Sequence, residues 1–372
     1  MKCMQLNANS SKNKKKILVV DDSALMRRVM CDIINSDERF QVVEQAFDGE
    51  AAYALLKQNQ YDGVVLDVNM PKIDGIQLLR ILQKDRIRAR VMMASTDTRE
   101  GASVTMEALE LGAIDFVEKP ANIVYLKGDS FKQKFLDILD AVVTSRQTNI
   151  STTPVIPRQK QEERTQNIVN IAKKSAPAVS GQKVVALACS TGGPKALQSV
   201  VPRLPKDLAA PVLIVQHMPK GFTQSLAERL DALSSMKVKE AVEGDVLENG
   251  TVYIAMGGKH MNVVTKAGRP TITYTDEPPR EGVKPCANYM YESLMTSNYA
   301  QVICVVLTGM GADGTKGIVN LETAKKIHVI AQDEATSTVY GMPKSIAAAG
   351  LVNQMVALDD VAQEIIMNVG VK

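Results

Sequence analysis

Three side chains in the C-terminal half of the chain have the types that a serine hydrolase needs, and each follows a strand-like run. Ser190 ends the apolar run 183–189, His217 follows the β-branched run 211–216, and Asp313 stands just beyond a third such run. The carboxyl ends of parallel strands meet at one edge of a sheet, where such folds bind ligands. We therefore expect a nucleophile, a general base and an orienting acid at one edge.

The turn that follows the serine also suits a nucleophile. Thr191 is followed by Gly192 and Gly193, and Pro194 stands where a helix can begin. Glycines let backbone N–H groups come close to a developing oxyanion, and a helix N-terminus favours negative charge. Many turns of this kind only bind phosphate or close a loop, so the turn alone does not establish catalysis.

Other candidates for the base and the nucleophile remain open, because the chain has three histidines and a cysteine beside the serine. His260, in a Gly-Gly-Lys-His turn, is the reserve candidate for the base. His328 opens an apolar strand and is expected to be structural. Cys189 precedes Ser190, but strand alternation points it away from the serine's side and into the core.

A second group of polar residues follows strand-like runs in the N-terminal half. Asp21 and Asp22 follow the first run, Asp67 the third, Ser95 the fourth and Lys119 the fifth. Three carboxylates at one sheet edge repel one another unless a cation joins them, and oxygen ligands suggest Mg²⁺. Lys119 and Ser95 would then provide a positive charge and a hydroxyl for an anion on Asp67. A single acid at a strand end is often only an exposed turn residue, but this order and spacing favour the site.

Two α/β units are predicted to position these residues. In each unit, short β-branched runs alternate with helical segments such as 23–34 and 49–58, which is typical of a doubly wound parallel sheet. The predicted strands are 17–20, 41–46, 63–66, 91–94 and 115–118 in the first unit, and 184–189, 211–216, 301–308 and 328–331 in the second. The runs 251–255, 261–265 and 271–275 are predicted to form a small antiparallel insertion, with a hairpin turn at 266–269.

Length and composition are those of a two-domain globular protein. The 372 residues are 45% hydrophobic and 23% charged, and no apolar run approaches the roughly 20 residues of a membrane span. Five cysteines form no C-x-x-C pair, so neither a disulfide framework nor a zinc site is indicated and a reducing cytoplasm is expected. We expect a basic disordered arm at 1–15, a flexible polar linker at 144–181 and no nucleic-acid partner.

Residues 16–140 resemble a response-regulator receiver domain, because the segment 66–75 is nearly the intact phosphoacceptor segment of that family. The resemblance implies that Asp67 is phosphorylated. It implies that Mg²⁺ is held by Asp22, Asp67 and the backbone carbonyl of Asn69, with Asp21 assisting. It also implies that Ser95 and Lys119 contact the phosphoryl group. Phe116 would be the switch aromatic, and the Lys119–Pro120 bond would be cis.

Residues 183–368 resemble the catalytic domain of the chemotaxis protein-glutamate methylesterases (CheB-type). The matching segments are 190–194, 216–219, 307–314, 332–335 and 340–343. The resemblance implies Ser190 as nucleophile, His217 as base and Asp313 as orienting acid. It also implies that Thr191 and Met310 line the site, and that the substrate and oxyanion region includes Gly192 and Gly193.

Several positions depart from common patterns. The chain order Ser, His, Asp differs from the orders of lipase-like, chymotrypsin-like and subtilisin-like hydrolases. Ala188 and Cys189 replace the family's usual glycine and alanine, Met256 replaces a proline, and the family's Pro-Ser-x-Asp segment reads Pro-Cys-Ala-Asn at 285–288. None of these changes removes a triad member. The last two fall near the expected substrate groove, so they bear on substrate preference.

Together the resemblances predict an α/β protein with a flavodoxin-like receiver domain at 16–143 and a three-layer, Rossmann-like α/β/α hydrolase domain at 182–372. They imply a phosphorylation-activated methylesterase and glutaminase that acts on glutamate methyl esters and glutamines of chemoreceptors during chemotaxis adaptation, releasing methanol or ammonia. The implied partners are chemoreceptors and a chemotaxis histidine kinase. Mg²⁺ would serve the receiver, and the ester chemistry would need no cofactor.

The arrangement of the two halves suggests how control is exerted. We expect the unphosphorylated receiver to pack over the Ser190 face and to block a bulky protein substrate, and we expect a protein that is not integral to a membrane. One alternative is a phosphorylation-controlled adaptor whose α/β module is catalytically silent. Another is the same enzyme acting on an ester or amide that does not belong to a receptor.

Overall fold

The computed structural model describes residues 14–96, 99–120, 128–146 and 181–372. Most of the predicted basic arm at 1–15 and of the predicted linker at 144–181 lies outside the described residues. Within the described ranges, no helix is both long enough and apolar enough to cross a membrane.

Five strands of the N-terminal half form one parallel sheet. Its elements are β1 (Lys15–Val20), α1 (Ala24–Asn35), β2 (Phe40–Ala46), α2 (Gly49–Gln58), β3 (Gly63–Asp67), α3 (Gly75–Lys84), β4 (Val91–Thr96), α4 (Arg99–Glu110), β5 (Asp115–Lys119) and α5 (Asp129–Thr144). The strand order β2-β1-β3-β4-β5 is that of a flavodoxin-like doubly wound sheet. The predicted fold class and strands of this half are therefore confirmed.

Seven strands of the C-terminal half form a second parallel sheet. Its elements, with a hairpin, are β6 (Lys183–Cys189), α6 (Gly193–Val200), β7 (Val212–Gln216), α7 (Phe222–Leu233), β8 (Lys237–Glu240), β9 (Thr251–Ile254), β10 (His260–Lys266), β11 (Arg269–Thr275), α8 (Ala287–Ser293), β12 (Gln301–Val306), α9 (Thr315–Glu322), β13 (Lys326–Gln332), α10 (Met342–Ala348), β14 (Gln354–Val356) and α11 (Val361–Val369). The order β14-β13-β12-β6-β7-β9-β8 places β6 next to both β7 and β12. The strands that precede Ser190, His217 and Asp313 are therefore adjacent.

The antiparallel insertion is smaller than predicted. The run 251–255 does not belong to it, because β9 pairs in parallel with β7 and β8. All four residues of β9 are buried, as in a parallel strand covered on both faces. The hairpin of β10 and β11 is antiparallel, as predicted. Its turn lies at Ala267 and Gly268, whose φ values of 49° and 76° suit a two-residue turn of type I′.

The predicted cis bond between Lys119 and Pro120 is not found. The cis peptide bond recorded among the described residues is Lys284–Pro285. The trans form of an X–Pro bond is favoured by about 0.5–1 kcal/mol. The cis form therefore needs contacts that hold it, and a motif alone does not supply them.

The two halves share an apolar core. Leu109 of α4 and Phe116 of β5 belong to the same buried cluster as Leu197 of α6 and Phe222 of α7. The α4–β5 side of the first sheet thus packs against the helices that follow β6 and β7. This packing brings the N-terminal half close to the turn that contains Ser190.

Candidate active site

Ser190 stands in a tight turn between β6 and α6. Its backbone N–H donates to the carbonyl of Thr308 at 3.0 Å, and its own carbonyl accepts the N–H of Gly193 at 2.7 Å. Gly192 between them has φ of 76°, in the left-handed region that glycine adopts most readily. The turn ends the buried strand at once and leaves the serine partly exposed at the carboxyl edge of the sheet.

His217 and Asp313 form a hydrogen-bonded pair at the same edge. His217 Nε2 lies 2.7 Å from Asp313 Oδ2. The backbone N–H of His217 donates to the carbonyl of Cys189, and this bond joins the end of β7 to the end of β6. In this conformation the described residues include no hydrogen bond between Ser190 Oγ and His217. Since Nε2 is engaged by Asp313, Nδ1 is the ring nitrogen that remains for the serine.

Asp313 is held by an unusual number of donors. Besides His217, its carboxylate accepts the backbone N–H groups of Ala287 at 2.6 Å, Asn288 at 3.0 Å and Gly314 at 2.8 Å, and the thiol of Cys286 at 3.0 Å. Burial raises the pKa of this carboxyl, but the hydrogen bonds and charge of its partners outweigh that effect and lower the pKa to about 2. The carboxylate is therefore ionised at any working pH and can fix the orientation of His217.

Cys286 and Asn288 are site residues whose role the sequence did not reveal. They stood out only as departures from a family segment. Burial raises the pKa of the Cys286 thiol to about 12, and the negative charge of Asp313 adds to the shift, so the group stays a thiol and donates. Asn288 Oδ1 accepts the N–H groups of Gly314 and Gly317, which fastens the start of α9 to α8.

The alternative base and nucleophile have structural roles. His260 is fully buried; its Nδ1 accepts the N–H of Cys286, and its Nε2 lies 3.2 Å from the carbonyl of Pro278. His328 Nε2 lies 2.7 Å from Gln354 Oε1, as expected for a structural histidine. Cys189 is also fully buried, as strand alternation predicts. Burial raises the pKa of its thiol, which disfavours a thiolate nucleophile.

The predicted oxyanion region is only partly available. The N–H of Gly193 is engaged by the serine carbonyl, whereas the N–H groups of Thr191 and Gly192 have no hydrogen-bond partner among the described residues. Met310 follows Gly309 in the loop after β12 and is 40% exposed. An added methyl at Gly309 would lie 2.8 Å from the serine Cβ, so this loop packs directly on the nucleophile.

The predicted acid cluster is present in the N-terminal half. Ligand oxygens of Asp21, Asp22 and Asp67 lie within 4.8 Å of one another. Lys119 Nζ lies 2.6 Å from both Asp21 and Asp67. Burial raises the pKa of Asp67, Asp21 adds to the shift, and Lys119 opposes it. Oxygen-only donors with this excess of negative charge fit Mg²⁺.

Of the other residues predicted around Asp67, Asn69 is exposed and Ser95 is buried. Asn69 lies two residues beyond β3 and is exposed. Ser95 is buried and is directed toward α4: its Oγ donates to the carbonyl of Gly101 at 3.3 Å and accepts from Thr105 Oγ1 at 2.8 Å. The serine therefore has to turn before it can contact a group on Asp67.

Phe116 lies at the junction of the two halves. Its ring stacks on Phe222 of α7, with ring centroids 4.5 Å apart. Nearby, Glu110 at the end of α4 pairs with Arg229 at 2.8 Å and accepts from Gln198 of α6 at 3.1 Å. The α4–β5 face of the first sheet is thus attached to α6 and α7, whose N-termini flank Ser190 and His217.

Comparison with known proteins gives a consistent picture. The family model described as CheB methylesterase matches residues 185–365, and the one described as response regulator receiver domain matches residues 17–128. A protein-glutamate methylesterase/protein-glutamine glutaminase from Pyrococcus horikoshii is 41% identical, over 95% of this chain and 93% of that protein. One from Bacillus subtilis is 36% identical, over 94% and 97%. The crystal structure of the Thermotoga maritima CheB methylesterase catalytic domain is 37% identical, covers 50% of this chain and 97% of its own, and has a TM-score of 0.48.

Proposed function

This chain belongs to the protein-glutamate methylesterase/protein-glutamine glutaminase family and carries a response-regulator receiver domain, and on that premise we propose that it demethylates glutamate methyl esters, and deamidates glutamines, on chemoreceptors under the control of phosphorylation. The observation that carries the proposal is the hydrogen-bonded pair of His217 and Asp313 beside Ser190 at one sheet edge. The alternative of a silent adaptor is not supported, since the named relatives are enzymes.

The proposed reaction is acyl transfer through Ser190. Its Oγ attacks the side-chain carbonyl carbon while its proton passes to Nδ1 of His217, because Nε2 is held by Asp313. The carboxylate stabilises the imidazolium that forms. Collapse of the tetrahedral intermediate expels methanol or ammonia, which takes up the proton from the histidine. Water then loses a proton to His217, attacks the acyl carbon and releases glutamate and the free serine.

The residues around the serine are given supporting roles in this proposal. The unengaged N–H groups of Thr191 and Gly192 would donate hydrogen bonds to the carbonyl oxygen and so stabilise the negative charge that develops on it. Gly193 would belong to the same region, through the turn that it closes with the serine carbonyl. Met310, partly exposed in the neighbouring loop, would line the mouth of the site.

The receiver is proposed to close the site when it is not phosphorylated. Asp115 of β5 accepts a hydrogen bond of 2.5 Å from the hydroxyl of Thr191, the residue after the nucleophile. Phe116, next in sequence, stacks on Phe222. A receptor segment would have to displace both contacts before it could reach Ser190.

Phosphorylation of Asp67 is proposed to weaken this interface. A phosphoryl group adds negative charge and acceptor oxygens, and Lys119 and Ser95 can move to bind those oxygens. Ser95 would then leave its partners in α4, and movement of Lys119 at the end of β5 would act on Phe116 in the same strand. Mg²⁺ would be held by the cluster's acids (Asp22 and Asp67, with Asp21 assisting) and the backbone carbonyl of Asn69, and it would offset the charge of the carboxylates and the phosphoryl group.

The remaining assignments follow from the same proposal. Chemoreceptors would be the substrates, a chemotaxis histidine kinase would be the phosphodonor, and the enzyme would act in the cytoplasm. The ester chemistry would use no cofactor. The receiver would span 16–143, the linker 144–181 and the catalytic domain 182–372.

Methanol release from methylated receptor membranes tests the proposal, measured with and without a small phosphodonor and Mg²⁺. We expect release to rise with the phosphodonor and to be lost in Ser190→Ala. Truncation to residues 181–372 should be faster than the unphosphorylated full chain. Absence of release in every condition would refute the assigned substrate, and release by Ser190→Ala would refute the nucleophile.

A further inference from the structure

Gln216 is a buried polar side chain that lies between the nucleophile and the base. It is the last residue of β7 and only 2% exposed. Its Nε2 donates to the backbone carbonyl of Ser190 at 3.0 Å and to that of His217 at 3.3 Å. One carboxamide therefore connects the two strand ends at the residues that carry the catalytic side chains.

The other end of the carboxamide is held as well. The thiol of Cys189 lies 3.0 Å from Gln216 Oε1. A thiol that stays protonated acts as a donor, and the two carbonyls on the opposite side can only accept. The three partners together fix which end of the carboxamide faces the catalytic turn.

Gly193 provides the space for this arrangement. A methyl group added there would meet Gln216 Oε1 at 2.0 Å, which is far inside van der Waals contact. Gly193 does not have a positive φ, unlike Gly192 before it. Its lack of a side chain is therefore required by the approach of the carboxamide and not by the backbone conformation.

We propose that Gln216 is a positioning residue of the esterase, and that Gly193 is needed chiefly to admit its carboxamide. The inference rests on the proposed function, because it concerns the alignment of Ser190 Oγ with His217 Nδ1. Both side chains project from backbone that the Nε2 donor holds. Displacement of reacting groups by about 1 Å can cost 100-fold in rate, so loss of this donor acts on kcat.

The decisive variant is Gln216→Glu, which keeps the shape of the side chain but places an acceptor against two carbonyls when ionised. In the full-length protein with phosphodonor and Mg²⁺, we expect kcat for methanol release at pH 8 to fall by about 10- to 100-fold, with KM unchanged. When protonated, the introduced carboxyl can donate again. The ratio of variant to wild-type kcat should therefore rise as the pH falls, because protonation of the introduced carboxyl restores the donor to the two carbonyls.

Gln354→Glu is the matched control. Gln354 also donates its Nε2 to an oxygen, that of Glu364 at 2.6 Å, but it lies in β14 at the edge of the sheet and its side chain contacts no catalytic residue. We expect this control to lose thermal stability while its kcat stays near that of wild type. A variant of Gln216 that behaves like the control, or a ratio that does not change with pH, overturns the proposal.

A second pair of variants does not depend on burying a carboxyl. We expect Gly193→Ala to lower kcat strongly in the wild-type background and to have a much smaller further effect in a Gln216→Ala background, where the 2.0 Å contact with Gln216 Oε1 is removed and the closest remaining contact is with Cys189 Cβ at 3.1 Å. Equal losses in both backgrounds would contradict the role assigned to Gly193. If wild type itself releases no methanol, the proposed function fails, whereas an active wild type with unaffected variants rejects only the positioning role.

Discussion

The hydroxyl of Thr191 donates a hydrogen bond of 2.5 Å to the carboxylate of Asp115. Thr191 follows the nucleophile in the C-terminal half, and Asp115 precedes Phe116 in β5 of the receiver. Burial between the halves raises the pKa of Asp115, while the bond from Thr191 opposes the shift. The contact therefore couples the catalytic turn to the strand that ends at Lys119.

Replacement of Asp115 should activate the unphosphorylated enzyme. Asp115→Ala removes the acceptor for Thr191 and also the acceptor for the backbone N–H of Phe116, while the aromatic ring of Phe116 remains. If the bond contributes about 1.4 kcal/mol to closure, methanol release without phosphodonor rises about tenfold. Glu107→Gln is the control and should leave basal release unchanged, because Glu107 pairs with the exposed Arg80 inside the receiver and such surface pairs contribute little. Unchanged basal activity of Asp115→Ala would show that the contact does not limit opening.

Loss of the phosphorylation site should abolish stimulation and spare basal catalysis. In Asp67→Asn, Lys119 keeps Asp21 as a partner, so the fold should persist. We expect methanol release without phosphodonor to match wild type, and no increase when phosphodonor is added. Chelation of Mg²⁺ should have the same effect on wild type. Stimulation of Asp67→Asn would place the phosphoryl group on another residue, and stimulation of wild type that survives chelation would show that the metal is not required.

Much of the site could be predicted from the sequence because its polar residues directly follow apolar strands. Polar residues that end apolar runs at Ser190, His217 and Asp67 lie at the sheet edges where a parallel fold must place them. The run 251–255 was misassigned because a short apolar strand does not reveal its partner or its direction. The pairing of β9 with β7 and β8 is decided by packing on both faces.

Contacts between distant segments were beyond sequence reasoning. Nothing in the segment 285–288 indicates that Cys286 and the start of α8 surround Asp313, because the contact joins a loop and a helix start with no shared periodicity. The orientation of Ser95 was likewise unpredictable. Its side chain can face Asp67 or α4 from the same strand position, and the hydroxyl of Thr105 stabilises the second arrangement.

Removal of the charge on Asp313 should impair catalysis strongly. Asp313→Asn keeps the volume of the side chain but cannot orient and charge-stabilise His217 in the same way. We expect kcat to fall by about 10³- to 10⁴-fold, as for orienting acids in serine hydrolases generally. Asp333→Asn is the control: Asp333 accepts from Thr336 at the end of the neighbouring strand and has no contact with the triad. A loss below tenfold would argue that Asp313 only packs against the site.

The Asp313 carboxyl should make the free energy of unfolding depend on pH in the acid range. Its folded pKa of about 2 lies below the ordinary value of 3.8, so the ionised group stabilises the fold above pH 4. That contribution, on the order of 2 kcal/mol, is lost as the pH falls from about 4 toward 2. Urea unfolding across this range should show a steeper decline for wild type than for Asp313→Asn. Parallel curves would mean that the carboxyl has an ordinary pKa when folded.

The thiol of Cys286 should matter as a donor and not as a reactive group. Cys286→Ser keeps a donor to Asp313 and should retain kcat, whereas Cys286→Ala removes one and should lower kcat by about three- to tenfold. Cys304→Ala is the matched control, because Cys304 is equally buried but lies in the core of β12. We expect it to lower stability without changing kcat. Equal effects of Cys286→Ala and Cys304→Ala on kcat would mean that Cys286 only packs against its neighbours. Rapid alkylation of Cys286 in the folded enzyme would contradict the raised pKa of its thiol.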